Sequence, residues 1–130
     1  MAVTMQVLLA LVVALAIGTL PALGADMDPT GRWQSQTGES RYDFFICGGN
    51  GALCAKLAWL RPDAVNKDTK PFLGKLVIDH AKHTAVNRWR GTVHALGKTA
   101  EGILTLVDGK TFKLTGCVGP ACGSFELHKV

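Results

Sequence analysis

Apolar and polar residues alternate along much of the chain after residue 30, most clearly between Thr111 and Lys129. When this segment folds back with Cys117 opposite Cys122, its large apolar residues share one face. That face pairs Phe112 with Leu127, Leu114 with Phe125 and Gly116 with Gly123, and the other pairs Lys113 with Glu126 and Thr115 with Ser124. Since cross-strand pairs stabilise sheets and a one-residue slip would mix the faces, the pattern predicts an antiparallel hairpin in this register.

A second hairpin is predicted between Arg41 and Leu60, again with two cysteines near its turn. Placing Cys47 opposite Cys54 gives a mainly apolar face, which pairs Tyr42 with Trp59, Phe44 with Leu57 and Ile46 with Ala55. Four cysteines allow three disulfide pairings. The face pattern favours the two local bridges, Cys47–Cys54 and Cys117–Cys122, and a bridge between the hairpins is the alternative.

The remaining apolar runs predict further short strands, separated by residues typical of turns. They cover residues 31–36, 72–79, 85–95 and 102–107, with a polar loop at 61–71 and turns at 79–84 and 96–101. In the strand at 85–95 one face carries Trp89, Gly91, Val93 and Ala95, and the other carries Arg88, Arg90, Thr92 and His94. Around Asp108-Gly109 we expect a three-residue loop with a bulge and Gly109 in the left-handed region, which aligns Leu104 with Phe112.

About eight short antiparallel strands in sequence, with no helix signal after Gly24, predict an all-β fold. The architecture we expect is a small up-and-down barrel, with a very open sandwich as the alternative. A barrel of eight strands is just wide enough to be filled by side chains or to hold one small ligand.

The first 25 residues differ from the rest because Val7 to Ala25 carries no charge. Pro21 and Gly24 interrupt the apolar run, and Ala22-Leu23-Gly24 fits a small-x-small cleavage site. We therefore predict a signal peptide at 1–25 and a barrel domain at 26–130, although no Lys or Arg precedes Val7 and an uncleaved anchor is the alternative. An even number of cysteines agrees with a periplasmic or secreted protein.

The order of several motifs resembles an uncharacterised family of exported bacterial proteins, domain of unknown function 2147. The matching stretches are Gly31-Arg32-Trp33, Cys47 to Cys54, Lys70 to Ile78, Trp89-x-Gly91 and Leu106 to Cys117. The resemblance implies a lipocalin-like barrel whose floor is closed by Trp33. The chain departs from the family pattern at Thr92 to Ala95, at Ala100 and at Phe125-Glu126-Leu127, so any function carried by those positions does not transfer.

Motifs for specific chemistry are weak. Gly97-Lys98-Thr99 lacks the first glycine of a phosphate-binding loop and precedes a strand. The cysteine spacings do not fit a structural zinc site, and His80 and His83 are expected to be solvated in a turn, so no metal or cofactor is predicted.

Catalytic and nucleic-acid-binding patterns are equally weak. No G-x-S-x-G motif occurs, while Asp43 and Glu126 are interpreted as structural carboxylates. Trp89 points away from Arg88 and Arg90, which argues against a nucleic-acid surface. We therefore expect neither an enzyme nor a nucleic-acid-binding protein.

The aromatic residues of the predicted inner face are the candidate ligand-binding set. They are Trp33, Tyr42, Phe44, Trp59, Trp89, Phe112 and Phe125. These rings can line a cavity or fill the barrel, and strands this short favour filling. The leading hypothesis is a monomeric, non-enzymatic binder of a small apolar ligand or an envelope partner, and the alternative is a packed interaction module. The net charge of +4 is interpreted as ordinary solubility charge, with attraction to an anionic membrane surface as the other possibility.

Overall fold

Eight antiparallel strands form one closed barrel in which each strand pairs with its sequence neighbours and the last pairs with the first. The computed structural model describes residues 26–95 and 97–130. The strands are β1 Gly31–Ser35, β2 Ser40–Ile46, β3 Leu53–Leu60, β4 Leu76–Ala85, β5 Arg88–Ala95, β6 Lys98–Asp108, β7 Thr111–Val118 and β8 Ala121–Lys129. Single-turn 3₁₀ helices occupy Gly49–Gly51, Pro62–Ala64 and Lys70–Phe72. The predicted all-β up-and-down barrel is confirmed.

The predicted signal peptide at 1–25 lies outside the described residues. Within the described part of the chain, no helix has both the length and the apolar character needed to cross a bilayer.

The β7–β8 hairpin has the predicted register at every pair, from Phe112 opposite Leu127 to Cys117 opposite Cys122. Its inner face contributes Phe112, Leu114 and Leu127 to the core. Phe125 belongs to the same face, but half of its surface is exposed. The hairpin extends beyond the short strand β1, which pairs with β8 only from Leu127 to Lys129. This leaves the inner face of the first half of β8 facing an opening.

The β2–β3 hairpin keeps the predicted faces from Tyr42 to Ile46, but its register there is two residues away from the prediction. Tyr42 lies opposite Leu57 and Phe44 lies opposite Ala55. A bulge between Arg41 and Tyr42 then shifts the pairing, so that Arg41 lies opposite Trp59. A shift of two residues preserves which side chains point inward, so the face pattern could not distinguish these registers. The bulge reverses the face of Trp59, which the sequence placed opposite Tyr42.

The β6–β7 connection shows the same kind of error. The predicted bulge is present, between Leu106 and Asp108, and Leu106 lies inside as expected. However, Phe112 pairs with Leu106 rather than with Leu104. The prediction for Gly109 was also wrong, because its φ is not positive.

Two predicted turns belong to strands. Residues 79–84 continue β4, which turns into β5 only at residues 86–87, and Lys98 already begins β6. The predicted start of a strand at residue 72 was also wrong, since the 3₁₀ helix ends there and β4 begins at Leu76. Asp79, His80 and Lys82 gave the segment a turn-like composition, although Ala81 between them is fully buried.

Both local disulfide pairs are formed, Cys47 with Cys54 and Cys117 with Cys122. Each bridge joins two consecutive strands close to their connecting turn. Although Cys47 and Cys54 are bridged, they are not cross-strand partners, because Cys54 lies opposite Phe45 in the sheet.

Candidate ligand-binding site

One end of the barrel is closed by the segment that precedes β1. Pro29 is buried there, and its carbonyl oxygen accepts a hydrogen bond from the indole Nε1 of Trp33 at 3.0 Å. Lys129 places its ammonium nitrogen 5.0 Å from the centroid of the Trp33 ring. Trp33 is fully buried, as expected for a residue that closes the barrel floor.

Trp33 packs with three further aromatic rings that fill the space above this floor. Phe112 is at the centre of the group, with ring centroids 5.1 Å from Trp33, 5.0 Å from Phe44 and 6.0 Å from Trp89. The indole Nε1 of Trp89 donates to the carbonyl oxygen of Gly51 at 2.9 Å, so the buried donor is satisfied. This half of the barrel is packed with side chains, as predicted for short strands.

Above the aromatic group, the opposite end contains a small apolar cavity of about 60 Å³. Its lining comes from the inner faces of the strands and from the β3–β4 loop: Tyr42, Phe44, Leu57, Phe72, Val77, Ile78, Val93, Leu114, Phe125 and Leu127. About 10–15 Å³ of cavity volume is enough for one water molecule, so this cavity has room for only a few. The cavity alone is therefore too small for a ligand of ordinary size.

The cavity adjoins a wider groove of about 510 Å³ along the extended ends of β6, β7 and β8. Val93, Leu114 and Phe125 border both spaces, which makes them one continuous apolar surface. Ligand pockets commonly have volumes of about 300–1,000 Å³. The groove is large enough for a small molecule, and the cavity beneath it can accept one end of that molecule.

A row of four glycines crosses neighbouring strands, and three of them, Gly102, Gly116 and Gly123, line the groove. Gly91 pairs with Gly102, Gly102 with Gly116 and Gly116 with Gly123. At Gly91 a Cβ would lie only 2.9 Å from the Cα of Ala81, so this position needs glycine for close packing. At Gly123 a Cβ would meet no atom within 4 Å. The groove is therefore open at Gly123, and packing does not require glycine at this position.

The ion pairs described below lie on the outer surface of the barrel, and its interior is apolar. Among residues 26–95 and 97–130, no polar or charged residue is buried in the interior. On the outer surface Arg32 Nε lies 2.8 Å from Asp43 Oδ1, and hydrogen bonding by Arg32 lowers the pKa of Asp43 below its usual value. The carboxylate of Glu126 lies 3.7 Å from His128 Nε2. Lys98 is the one charged side chain among the described residues that line the groove.

The seven aromatic residues predicted for the ligand site divide into three groups. Tyr42, Phe44 and Phe125 border the cavity, whereas Trp33, Trp89 and Phe112 are packed beneath it. The predicted position of Trp59 on the inner face was wrong. The bulge in the β2–β3 hairpin places Trp59 opposite Arg41, whose guanidinium carbon lies 4.6 Å from the centroid of the Trp59 ring. Whether any of these residues binds a ligand stays a prediction.

The sequence reasoning missed several lining residues. Val93 was predicted on the correct face of its strand, and Leu114 on the correct face of its hairpin, but only aromatic residues were predicted to bind the ligand. Phe72 belongs to a loop whose path over the open end has no local sequence signal. Gly102, Gly116 and Gly123 were visible as glycines, but their alignment depends on the registers.

The closed eight-stranded antiparallel barrel, packed at one end and open and apolar at the other, has a lipocalin-like fold. One solved structure, described as "Protein HP1028 from the human pathogen Helicobacter pylori belongs to the lipocalin family", matches with a TM-score of 0.61 and 16% identity, over 80% of this chain and 84% of that one. At this identity the similarity shows the fold alone. The model of the bacterial family described as "Uncharacterized protein conserved in bacteria (DUF2147)" matches residues 31–129, and the chain belongs to that family. No curated protein sequence matches the chain.

Proposed function

We propose that this protein is a non-enzymatic binder of a small apolar molecule, held at the open end of the barrel. The groove along β6–β8 is the observation that carries the proposal, because it continues into the inner cavity at Val93, Leu114 and Phe125. Phe125 supports it further, since half of this large ring is exposed although it belongs to the inner face of its strand. A ring in that position gains burial when a ligand covers it.

The chemistry of the lining favours an uncharged, largely apolar ligand. Removal of apolar surface from water is favourable by about 25 cal/mol per Å², and an apolar lining offers that gain without a cost for desolvating charges. Lys98 at the border of the groove is compatible with a polar end on the ligand that remains in water. The carboxylates Asp43 and Glu126 have basic partners outside the interior, which fits binding better than acid–base catalysis.

The setting we propose is the periplasm or the extracellular medium. Two disulfides suggest an oxidising environment outside the cytoplasm. A partner at the cell envelope is compatible with the same location and would compete for the open end. The packed half of the barrel supports the alternative function, an interaction module with no ligand, and the following experiment separates the two.

The test fills the groove without disturbing the barrel. In Gly123→Phe, the new ring enters space where a Cβ meets nothing within 4 Å. Gly109→Phe is the matched control, because its Cβ also meets nothing but it lies in the β6–β7 turn at the closed end. The measurement is the titration of each protein with N-phenyl-1-naphthylamine, an uncharged apolar fluorophore. Denaturing mass spectrometry of the gently purified wild type then searches for a co-purifying molecule.

We expect saturable binding of one fluorophore by the wild type and by Gly109→Phe, with affinity at least about tenfold weaker in Gly123→Phe, equivalent to about 1.4 kcal/mol. A stoichiometric small molecule released on denaturation adds direct support. No saturable binding to the wild type, together with no released molecule, would favour the packed module. Equal binding by all three proteins would place the apolar site elsewhere.

A further inference from the structure

The bridge Cys47–Cys54 lies against a histidine–aspartate pair on the neighbouring strand β4. Cys54 Sγ accepts a hydrogen bond from the main-chain N–H of His80 at 3.2 Å and lies 3.8 Å from the imidazole Nδ1 of the same residue. That Nδ1 is 2.5 Å from Asp79 Oδ1. The sulfurs of Cys47 and Cys54 and a ring nitrogen of His80 all lie within 4.8 Å of one another. Two sulfurs, an imidazole and a carboxylate are thus gathered at one point.

The local charge at this cluster favours a sulfur anion. The hydrogen bond that the His80 imidazole donates to the Asp79 carboxylate raises the pKa of His80 above its ordinary value, and the main-chain carbonyl of Cys47 acts in the same direction. A protonated imidazole beside a cysteine lowers the pKa of the thiol and stabilises its thiolate. Asp79 Oδ1 is also 4.0 Å from Cys54 Sγ, but it is hydrogen-bonded to the His80 ring, which offsets the effect of the carboxylate on the sulfur whenever the imidazole is protonated.

The two sulfurs differ in their access to solvent. Cys54 is 1% exposed, whereas Cys47, at the end of β2, is partly exposed. An incoming thiol can therefore reach Cys47 more readily than Cys54. The more accessible sulfur is the one to be attacked, and the buried sulfur beside His80 is the one to be released.

The backbone holds His80 in an unusual conformation at this position. Its φ is +53°, in the left-handed region that non-glycine residues seldom adopt. Gly48 allows the ring to approach, since a Cβ at that position would lie 3.2 Å from His80 Cδ2. Left-handed non-glycine residues cluster at functional sites, where the surrounding structure holds them in place.

The second bridge lacks these features. Cys117 and Cys122 lie in the exposed end of the β7–β8 hairpin. In the part of the chain that the structure describes, no hydrogen bond reaches either sulfur, and the sulfur at hydrogen-bond distance from His80 belongs to Cys54 of the other bridge. This bridge therefore serves as an internal reference for a disulfide with no stabilised leaving group.

We propose that Cys47–Cys54 is an exchangeable disulfide that accepts electrons from a dithiol, with Cys47 as the attacked sulfur and Cys54 as the leaving thiolate stabilised by His80. The thiolate of the dithiol forms a bond to Cys47 Sγ as the Cys47–Cys54 bond breaks, and the electron pair of that bond goes to Cys54 Sγ. The second thiolate of the dithiol then attacks the first sulfur of the same dithiol, which is bonded to Cys47 in the mixed disulfide, and releases the Cys47 thiolate. The dithiol is oxidised to a disulfide, and the protein gains two electrons. This inference does not depend on the ligand proposed for the open end.

The experiment measures exchange at each bridge of the folded protein separately. Reduced glutathione is added in excess, the reaction is stopped with acid and an alkylating reagent, and peptide mass spectrometry follows both cysteine pairs. The test variant is His80→Asn, because asparagine is neutral and tolerates the left-handed conformation. His128→Asn is the matched control, since His128 is an exposed histidine beside a carboxylate on β8. The thiolate absorbance of the dithiothreitol-reduced protein near 240 nm sums all four thiols, so the difference between the His80→Asn and wild-type titration curves reports the effect of His80 on the thiols of Cys47 and Cys54.

We expect glutathione to form its adduct on Cys47. Exchange at Cys47–Cys54 should be slower in His80→Asn than in the wild type, by about threefold or more for each unit by which the Cys54 pKa rises, because leaving thiols of lower pKa depart faster. The Cys117–Cys122 rate and the His128→Asn protein should match the wild type. If His80→Asn alters the circular dichroism of the fold, Asp79→Asn replaces it and should slow exchange in the same direction. An adduct on Cys54, or equal rates at Cys47–Cys54 with and without the histidine–aspartate pair, would overturn the proposal.

Discussion

Replacing Phe112 by alanine should remove much of the stability of this barrel. Phe112 is fully buried and packs against Trp33, Phe44 and Trp89 at centroid distances of 5.0–6.0 Å. Truncation of a buried phenylalanine costs about 3–5 kcal/mol, because apolar contacts are lost and a cavity remains. A small domain has a total stability of only about 5–15 kcal/mol, so this one change removes a large part of it.

The matched control for this substitution is Phe125→Ala in the same hairpin. Half of the Phe125 surface is already exposed, so we expect a loss below about 1.5 kcal/mol. Urea unfolding measured by tryptophan fluorescence compares the two proteins. With a slope of about 1–3 kcal/mol per molar urea, the midpoint for Phe112→Ala should fall by at least about 1 M without a change of slope. Similar midpoints for the two variants would refute the assignment of the aromatic group as the centre of the core.

Two further substitutions test the outer surface and the close packing of strands. Hydrogen bonding by Arg32 lowers the pKa of Asp43 in the folded state. The ion pair therefore stabilises the fold fully at pH values above the unfolded pKa of about 3.9, and this stabilisation is lost as the pH falls through the lower pKa of the folded state. Asp43→Asn should cost below about 1 kcal/mol at pH 7, with a difference from the wild type that shrinks toward pH 3 in urea titrations, and a constant difference would contradict this origin. Gly91→Ala should cost about 1–3 kcal/mol in the same assay, because its Cβ would lie 2.9 Å from the Cα of Ala81, and a neutral result would contradict that contact.

The alternation of side chains predicted the faces of the strands better than their registers. In β2–β3 and β6–β7, the predicted partners of Phe44 and Phe112 were two residues away from the observed ones. A displacement of two preserves the inner face, so hydrophobic pattern carries no information about it. The β7–β8 register was predicted correctly because two cysteines, two glycines and a charge pair all constrained the same alignment.

The residues of the candidate site could be predicted only where they follow from which side chains of a strand point into the barrel. Tyr42, Phe44 and Phe125 border the cavity as expected, since each belongs to the inner face of its strand. Trp59 was misplaced because a bulge in β3, opposite Arg41 and Tyr42, reverses its orientation, and bulges depend on contacts between strands rather than on local sequence. The groove depends on how far β7 and β8 extend past β1, which no single segment specifies.

The seam between β1 and β8 has consequences for the order in which the barrel assembles. This seam joins Trp33 to Lys129, with all six other strands between them in sequence. Contacts between such distant segments carry a high entropic cost before they form and slow the folding of β proteins. The two disulfides each fasten neighbouring strands and neither crosses the seam. Oxidation therefore secures individual hairpins early, while ring closure must wait for the last strand, and until then two unpaired edges remain open to other chains.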